Sequence, residues 1–575
     1  MSHMVINTKF IVNEREYNMK KKILALLLVL ALCIGMIPTT QLTAAVKGRT
    51  YVIKQGDSLV DIAKEYNLSW REIAKLNKIK EPYTIYVGEK LQLPLSNSDK
   101  TAKKDTSKDT KKKEQKTNKK SDTVSKPTEN AAGYSNWALN DLLVGDTYGI
   151  YPLTWYDKSL TAPITKAQMK HLTTGLSDKI RKAEGVTINQ DINITLKNNM
   201  TVEEVLNVFY STLKTNDYSK DIGLNKRYSP LAYMDEYKIF TGVNGELSAK
   251  DICSVEQACV FATRIVTYVY DSLDAASKGF LWEVKHDGNT AYLLGSIHVA
   301  NNDIYPFSQK MLSAYQESDA LVVEVNLYDT AGYAAFAGLS AYKDGTTLKD
   351  HISADSYKKA VDTAALLGYT EDMIAPLKPW CLSNLFSSLA SMNTLDMKEA
   401  SKGTSLGIDM NFMSNAFLNK KTILEIEGYE MQGKLFDNFS PGLQEYLLNS
   451  SIEAINKVKS GKQEDNKDTT LLNQWLDNWH DGDIEAFKKS YNVKDEILGD
   501  TFNNAQDANL KAYSEEYYKG LLTNRDKGMA DYIDKILKAD GEKTYFVVVG
   551  SFHYLSDYSV LDILKEKGYE ITQIK

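Results

Sequence analysis

Two stretches, LLGSIHVA at residues 293–300 and VVGSFHYL at residues 548–555, place one Gly-Ser-x-His pattern directly behind an apolar run, far apart in the chain. An apolar run that ends at glycine reads as a buried strand whose backbone turns sharply, or approaches a ligand closely, as it leaves the sheet. TAYLLGSIH and KTYFVVVGSFH share this character with DALVVEVNL, which delivers Glu324 near its end. Continuously apolar strands are covered on both faces, and these alternate with long helical stretches. The C-terminal part is therefore expected to be an α/β (α+β) domain with a mostly parallel sheet. In such sheets ligands sit beyond the carboxyl ends of the strands, which is where His298, Glu324 and His553 fall.

Gly295 and Gly550 let the histidine three positions on swing over the sheet edge. Two imidazoles and a carboxylate are the ligand set of a catalytic divalent transition metal with open positions for water and substrate. Manganese, cobalt, iron and zinc all suit that set, and such an ion lowers the pKa of its water to roughly 7. Glu324 is then the third ligand or the general base. Ser296 and Ser551 are placed to bind substrate or to orient neighbouring groups. A single histidine after a strand is ordinarily a satisfied structural one, but two of only seven histidines share this context.

The whole chain is too long for one typical domain: 575 residues, 43% hydrophobic and 25% charged. Its net charge of −6 gives no footprint for nucleic acid. Met19 with three lysines, the apolar Ile23–Ile37 and a small-residue site ending near Ala45 read as an export signal, with an extension ahead of it, so residues 1–45 are expected to be absent from the mature protein. Cys33 lies in that signal. Cys253, Cys259 and Cys381 remain, and three cysteines make no disulfide framework. Export with so little cysteine suits a large protein on a bacterial surface, Gram-positive in type, stabilised by ordinary cores.

Residues 46–95 read as a small β-α-α-β module, with an alternating strand, a turn at Gly56-Asp57-Ser58, two short amphipathic stretches and a closing strand. Through YVIKQGDSLVDIAKEYNLS, REIAKLN and VGEKLQLP the module resembles a LysM domain. That resemblance implies binding to N-acetylglucosamine glycans such as peptidoglycan. Residues 96–133, dominated by Lys, Asp, Ser and Thr, have too little apolar surface to fold and are expected to be a flexible tether. Residues 134–272 turn helical and aromatic. NWALNDLLVGDTYGIYPLTWYDKSLTAPITKAQM and SPLAYMDEYKIFTGVNGELSAKDICSVEQACVFATRIV repeat one order of elements, with a degenerate copy near MTVEEVLNVFYSTL. These segments resemble S-layer homology repeats, which implies attachment to a secondary cell-wall polymer. The usual Thr-Arg-x-Glu core stands here only as ITKAQ and CSVEQ, and a plain helical spacer with Tyr and Trp in its core fits equally.

Residues 277–575 resemble the TraB/GumN family, related to the Tiki metalloproteases and more distantly to erythromycin-esterase-like proteins. The stretches that carry the resemblance are LWEVKHDGNTAYLLGSIHVANNDIYPF, SDALVVEVNL, GIDMNFMSNAFLNKKTILEIEGYEMQ, TNRDKGMADYI and VVVGSFHYLSDYSVLDILKEKGYEI. The resemblance implies the paired Gly-x-x-His motifs and Glu324 as site residues, and points further to Gly407, Asp409, Glu427, Gln432 and Arg525. It also implies metal-dependent peptidase activity on an exported substrate. Read from the residues alone, Asp409 is a helix cap or a site residue, and Glu427 with Gln432 is a solvated helix start or a piece of the site edge. Arg525 is a clamp on a substrate carboxylate or a surface ion pair with Asp526 or Asp531, where Asp526 stands in place of the family's frequent Asn. Besides a metal-dependent hydrolase, two readings stay open: a surface protein that sequesters a peptide without cutting it, and a metal-free hydrolase with a histidine base.

Overall fold

The computed structural model describes residues 49–52, 90–93, 133–191, 195–241, 248–460, 467–490 and 508–574. The export signal, the tether up to its last residue Gly133, and the two short helices expected in the small module lie outside the described residues. Of that module, β1 (Arg49–Val52) and β2 (Lys90–Leu93) pair antiparallel, with Arg49 opposite Leu93. They are the first and last strands of the order read from the sequence.

From Gly133 the chain forms helices Leu139–Tyr148, Lys166–Arg181, Val202–Leu213, Pro230–Glu236 and Val255–Leu273, with a short antiparallel pair, β3 (Val186–Ile188) and β4 (Asn216–Tyr218). The repeated segments share a local cause. Thr165, Thr201 and Ser254 are N-caps that accept from the backbone N–H of Gln168, Glu204 and Gln257, whose side chains bond back to the cap N–H. These three capping boxes are what ITKAQ, MTVEE and CSVEQ have in common. Behind them Met169, Leu172, Leu176 and Ile180 recur at helical spacing and are fully buried, as are Val205, Leu206 and Phe209 of the next helix. Tyr148, Tyr151, Tyr156, Tyr233 and Tyr270 are core residues.

This helical region shares one continuous buried core with the C-terminal part. Polar contacts fix the join. The Lys179 ammonium donates to the Asn302 carbonyl at 2.6 Å and the Asn302 amide donates to the Thr147 carbonyl at 2.7 Å, while within the helical region the Tyr270 hydroxyl donates to the Lys179 carbonyl at 2.9 Å.

The C-terminal sheet comprises β5 (Phe280–His286), β6 (Asn289–Ser296), β7 (Ala320–Val323), β8 (Thr422–Glu425), β9 (Thr544–Gly550) and β10 (Ile571–Ile574), in the spatial order β10-β5-β6-β9-β7-β8. β6, β9, β7 and β8 run parallel, whereas β5 and β10 are antiparallel to their neighbours. The sheet is thus mixed, with three of its five strand pairings parallel. Its antiparallel edge starts at Asp287-Gly288, both at positive φ (46° and 89°) between the paired His286 and Asn289. A two-residue Asp-Gly turn of that kind joins neighbouring strands as a hairpin and forbids a crossover. The parallel strands need crossovers, and they carry helices: Gln309–Glu317 before β7, an insertion before β8 whose core around Trp380 and Phe386 also takes in Leu448 from beyond that strand, and Asn524–Leu537 before β9. All four residues of β7 are buried, as expected of a strand covered on both faces. Phe412 packs on Phe546 of β9 with ring centroids 4.9 Å apart.

Cys253, Cys259 and Cys381 are buried and form no disulfide among the described residues. Among the described residues no helix is long and apolar enough to cross a membrane.

Candidate functional site

β6 and β9 are parallel neighbours, with Ser296 opposite Gly550, so the two Gly-Ser-x-His stretches leave the sheet side by side. Gly295 is needed for this approach: a Cβ there would lie 3.0 Å from Ser551 Oγ and 3.2 Å from Ser551 Cα. The Ser551 hydroxyl donates to the Ser296 carbonyl at 3.0 Å, and both serines are 2% exposed. That bond joins the two motifs to each other. Ser296 Oγ is buried without a partner among the described residues. Below them the Trp479 indole N–H, fully buried, donates to the Gly295 carbonyl at 2.7 Å. Nothing in the sequence pattern pointed to Trp479.

Each histidine has its own carboxylate. His298 Nδ1 lies 3.0 Å from Asp409 Oδ2, and His553 Nδ1 lies 2.6 Å from Asp526 Oδ1. An ionised carboxylate only accepts, so each Nδ1 carries the proton and each Nε2 is left for another partner. Asp409 is not the cap of helix Ile408–Leu418; that position is Gly407, and Asp409 stands in the first turn. Gly407 is required by closeness, since a Cβ would lie 2.3 Å from the His298 carbonyl. Asp526, considered from sequence only as a partner for Arg525, instead orients His553 and is 2% exposed. Its replacement of the frequent Asn was the available signal.

Glu324, at the carboxyl end of β7, accepts the Gly550 N–H at 2.7 Å through Oε1. Its Oε2 accepts from Arg525 Nη2, and from the Gln432 amide at 3.4 Å. Arg525 also donates to Glu427 through Nε at 2.7 Å and Nη2 at 2.9 Å, and Gln432 donates to Glu427 at 3.0 Å. The Arg525 fork is thus held by two glutamates of its own chain, and Asp531 pairs with Lys567. The observed partners replace the surface ion pair with Asp526 or Asp531 read from the sequence. Glu427, with a side chain only 3% exposed, belongs to the site edge and not to a solvated helix start.

Gly550 marks the centre. Its φ of −53° suits any residue, but a Cβ would stand 3.5 Å from Glu324 Oε1, 3.6 Å from His298 Nε2 and 3.6 Å from His553 Cδ2. The missing side chain leaves a space bordered by all three groups.

Burial acts to raise the Glu324 pKa, but Arg525, the two imidazoles and the Gly550 N–H together hold it well below the usual carboxylate range. Burial acts to lower that of His298, yet Asp409 and Glu324 outweigh it and leave the ring raised to about 9. The His298 side chain is 58% exposed, so water screens part of that attraction. Asp526 is pushed up by its burial, against the pull of His553.

Two imidazoles anchored through Nδ1 by carboxylates, with His298 Nε2 and the His553 ring edge bordering a shared space, are donor chemistry that fits a borderline divalent ion. Among the described residues, however, no three His, Cys, Asp or Glu side chains already stand together as a ligand cluster. The physical reason lies at Glu324, whose oxygens are turned to Gly550 and Arg525. The histidines fit an ion, and Glu324 joins them only by sharing an oxygen with a guanidinium.

Residues 280–573 match the TraB/PrgY/gumN family and residues 51–94 the LysM domain. Among curated proteins, the chain is 22% identical over 321 residues to the Metalloprotease TIKI homolog of Nematostella vectensis, covering 52% of this chain and 67% of that protein. It is 22% identical over 318 residues to Metalloprotease TIKI2 of Xenopus tropicalis, covering 51% and 59%. It is also 40% identical over 65 residues to the uncharacterized lipoprotein YgeR of Escherichia coli, covering 11% and 26%. The chain therefore spans about three fifths to two thirds of the TIKI relatives' length. No solved structure matches.

Proposed function

The chain belongs to the TraB/PrgY/gumN family and carries a LysM domain, and from that premise we propose that it is an exported, wall-attached hydrolase that cleaves a peptide or related bond. The observation that carries the reading is the space over Gly550, bordered by His298, His553 and Glu324, with each histidine backed by its own carboxylate. The names of the TIKI relatives support a peptidase. In this reading the LysM module holds peptidoglycan glycan outside the cell, residues 134–272 touch a secondary wall polymer, and residues 277–575 act on the substrate.

His298 and His553 would hold a divalent ion (manganese, cobalt, iron or zinc), with Glu324 as the shared third group. When bound, the ion supplies Lewis-acid polarisation of the scissile carbonyl and a more acidic water. The chain's own residues do the rest. Asp409 and Asp526 anchor each Nδ1, which leaves each Nε2 for the ion or the substrate. Arg525 keeps Glu324 ionised and in place.

A second reading, a metal-free hydrolase with a histidine base, draws support from the Arg525–Glu324 ion pair, which already neutralises the carboxylate a metal would use. Turnover of a peptide mixture by the full chain, followed by mass spectrometry, tests hydrolysis. Loss of cleavage in His298→Ala and His553→Ala supports it, and full turnover in both refutes the site. If the peptides are retained but uncut by the wild type, the chain is a sequestering protein. Metal content of the same preparations separates the two hydrolytic readings.

A further inference from the structure

A groove of about 620 Å³ opens beside the centre, between helix Gly428–Asp437 and the segment leading into Arg525. That volume lies in the range of small-ligand sites, roughly 300–1,000 Å³. One wall is a single helical face: Met431 and Leu435 are four residues apart, with Asn438 following three later. The other wall is made by Gly520, Asn524 and Arg525. It comes from a π-turn, Lys519–Thr523, closed by the Asn524 N–H on the Lys519 carbonyl. In an i→i+5 turn Gly520 and Arg525 come onto one face, and such turns inside α-helices are frequent at functional sites. Gly520 also allows close packing, since a Cβ there would lie 2.7 Å from the Phe439 ring. The groove is continuous with the site, because Arg525 lines it and also holds Glu324.

Its chemistry selects an occupant. Each charged group in its walls already has an ion-pair partner, Glu427 with Arg525, which also holds Glu324, and Glu430 with Lys434 at 2.6 Å. What remains for a ligand is apolar surface, with Met431 46% exposed, and the carboxamides of Asn438 and Asn524, both on exposed residues. An uncharged peptide stretch matches this lining: its apolar side chain covers Met431 and Leu435, and its backbone groups bond the amides. A charged side chain there would face groups already engaged in ion pairs and gain little. We propose that this groove binds the substrate peptide on one side of the centre and that Met431 and Leu435 select an apolar side chain at a fixed distance from the reacting bond. The proposal rests on the hydrolase reading only for the word substrate; as a peptide-binding groove it stands alone.

The test uses the full chain and a library of peptides with blocked termini, read by mass spectrometry both for cleavage and for retention on immobilised protein. Wild type is expected to prefer an apolar residue at one position, and Met431→Leu to keep that preference. Met431→Glu should shift it roughly tenfold toward basic residues, and Leu435→Ala should broaden it toward larger ones. Met431 is solvent-exposed, so the glutamate leaves the fold intact, and a thermal melt checks that. An unchanged preference in both Met431→Glu and Leu435→Ala overturns the groove while leaving hydrolysis standing. Retention that shifts as expected without any cleavage overturns hydrolysis and upholds the groove. Neither cleavage nor retention by wild type overturns the groove.

Discussion

The hydroxyl of Ser551 donates to the carbonyl of Ser296, so one Gly-Ser-x-His stretch is tied directly to the other where both leave the sheet. The tie requires the backbones to approach within the reach of one side chain, which is why a Cβ on Gly295 would sit 3.0 Å from Ser551 Oγ. Gly295→Ala is therefore expected to destabilise by about 1–3 kcal/mol, the usual cost of forcing an extra carbon into a packed core. Urea unfolding measures it, and an unchanged midpoint would show that the strands can part without loss.

Gly550→Ala separates folding from function. The Gly550 φ of −53° is open to alanine, and the added carbon makes only ordinary contacts of 3.5–3.6 Å. Stiffening the unfolded chain and weakening a helix N-cap each act at up to about 1 kcal/mol and in opposite directions. The variant should melt within a few degrees of wild type. Its methyl occupies the space between Glu324, His298 and His553, so peptide turnover should fall by at least about tenfold. Full turnover in a normally melting variant would place the reacting atoms elsewhere.

The exposed His298 reports on its carboxylate. With Asp409 and Glu324 beside it the ring is raised from 6.5 to about 9, so its proton is held more tightly in the folded chain, and that contribution fades as pH rises through about 9. In metal-free Asp409→Asn the principal charge is gone, and the ring should titrate closer to 6.5. Histidine side-chain NMR over pH 5 to 10, as an approximate range, follows it, with the His553 resonances as internal reference. Equal midpoints in both proteins would mean that Asp409 orients the ring without polarising it.

How much of this was legible in the chain follows from the range of each signal. Strand-plus-glycine patterns are local, and they located His298, His553 and Glu324 at one sheet edge. The Asp287-Gly288 hairpin is as local, and its turn residues mark the antiparallel edge that accompanies the parallel strands. Pairing among buried charges is a different matter. Arg525 had acidic neighbours at 526 and 531, but its side chain leaves that helix face for Glu324 and Glu427, which are 201 and 98 residues away. Asp526, one position on, meets His553. Which carboxylate meets which cation depends on how helix Asn524–Leu537 is rolled against the sheet, and the burial of Met529, Ala530 and Ile533 sets that roll. Trp479 contributes an indole N–H to a strand carbonyl, a contact that no periodicity encodes.

Lys179 gives a pH signature for the join between the helical region and the C-terminal part. Its side chain reaches the Asn302 carbonyl, four residues beyond His298, and the residue is 4% exposed. Burial lowers its pKa from 10.5 to about 8, with Asp303 pulling weakly the other way. Between those two values the unfolded chain binds a proton that the folded chain has lost, so folding is progressively favoured as pH rises from about 8 to 10.5. Below 8 both states are charged and above 10.5 both are neutral, so the contribution is flat outside that window. The full effect is about 3 kcal/mol at most, since each tenfold change in proton affinity is worth about 1.4 kcal/mol. Lys179→Met cannot titrate. The stability difference between wild type and Lys179→Met should therefore move in favour of wild type across that window, measured by urea unfolding at several pH values. A difference that stays constant with pH would show that water reaches the ammonium, and that the region is joined to the loop after His298 less tightly than the 2.6 Å contact implies.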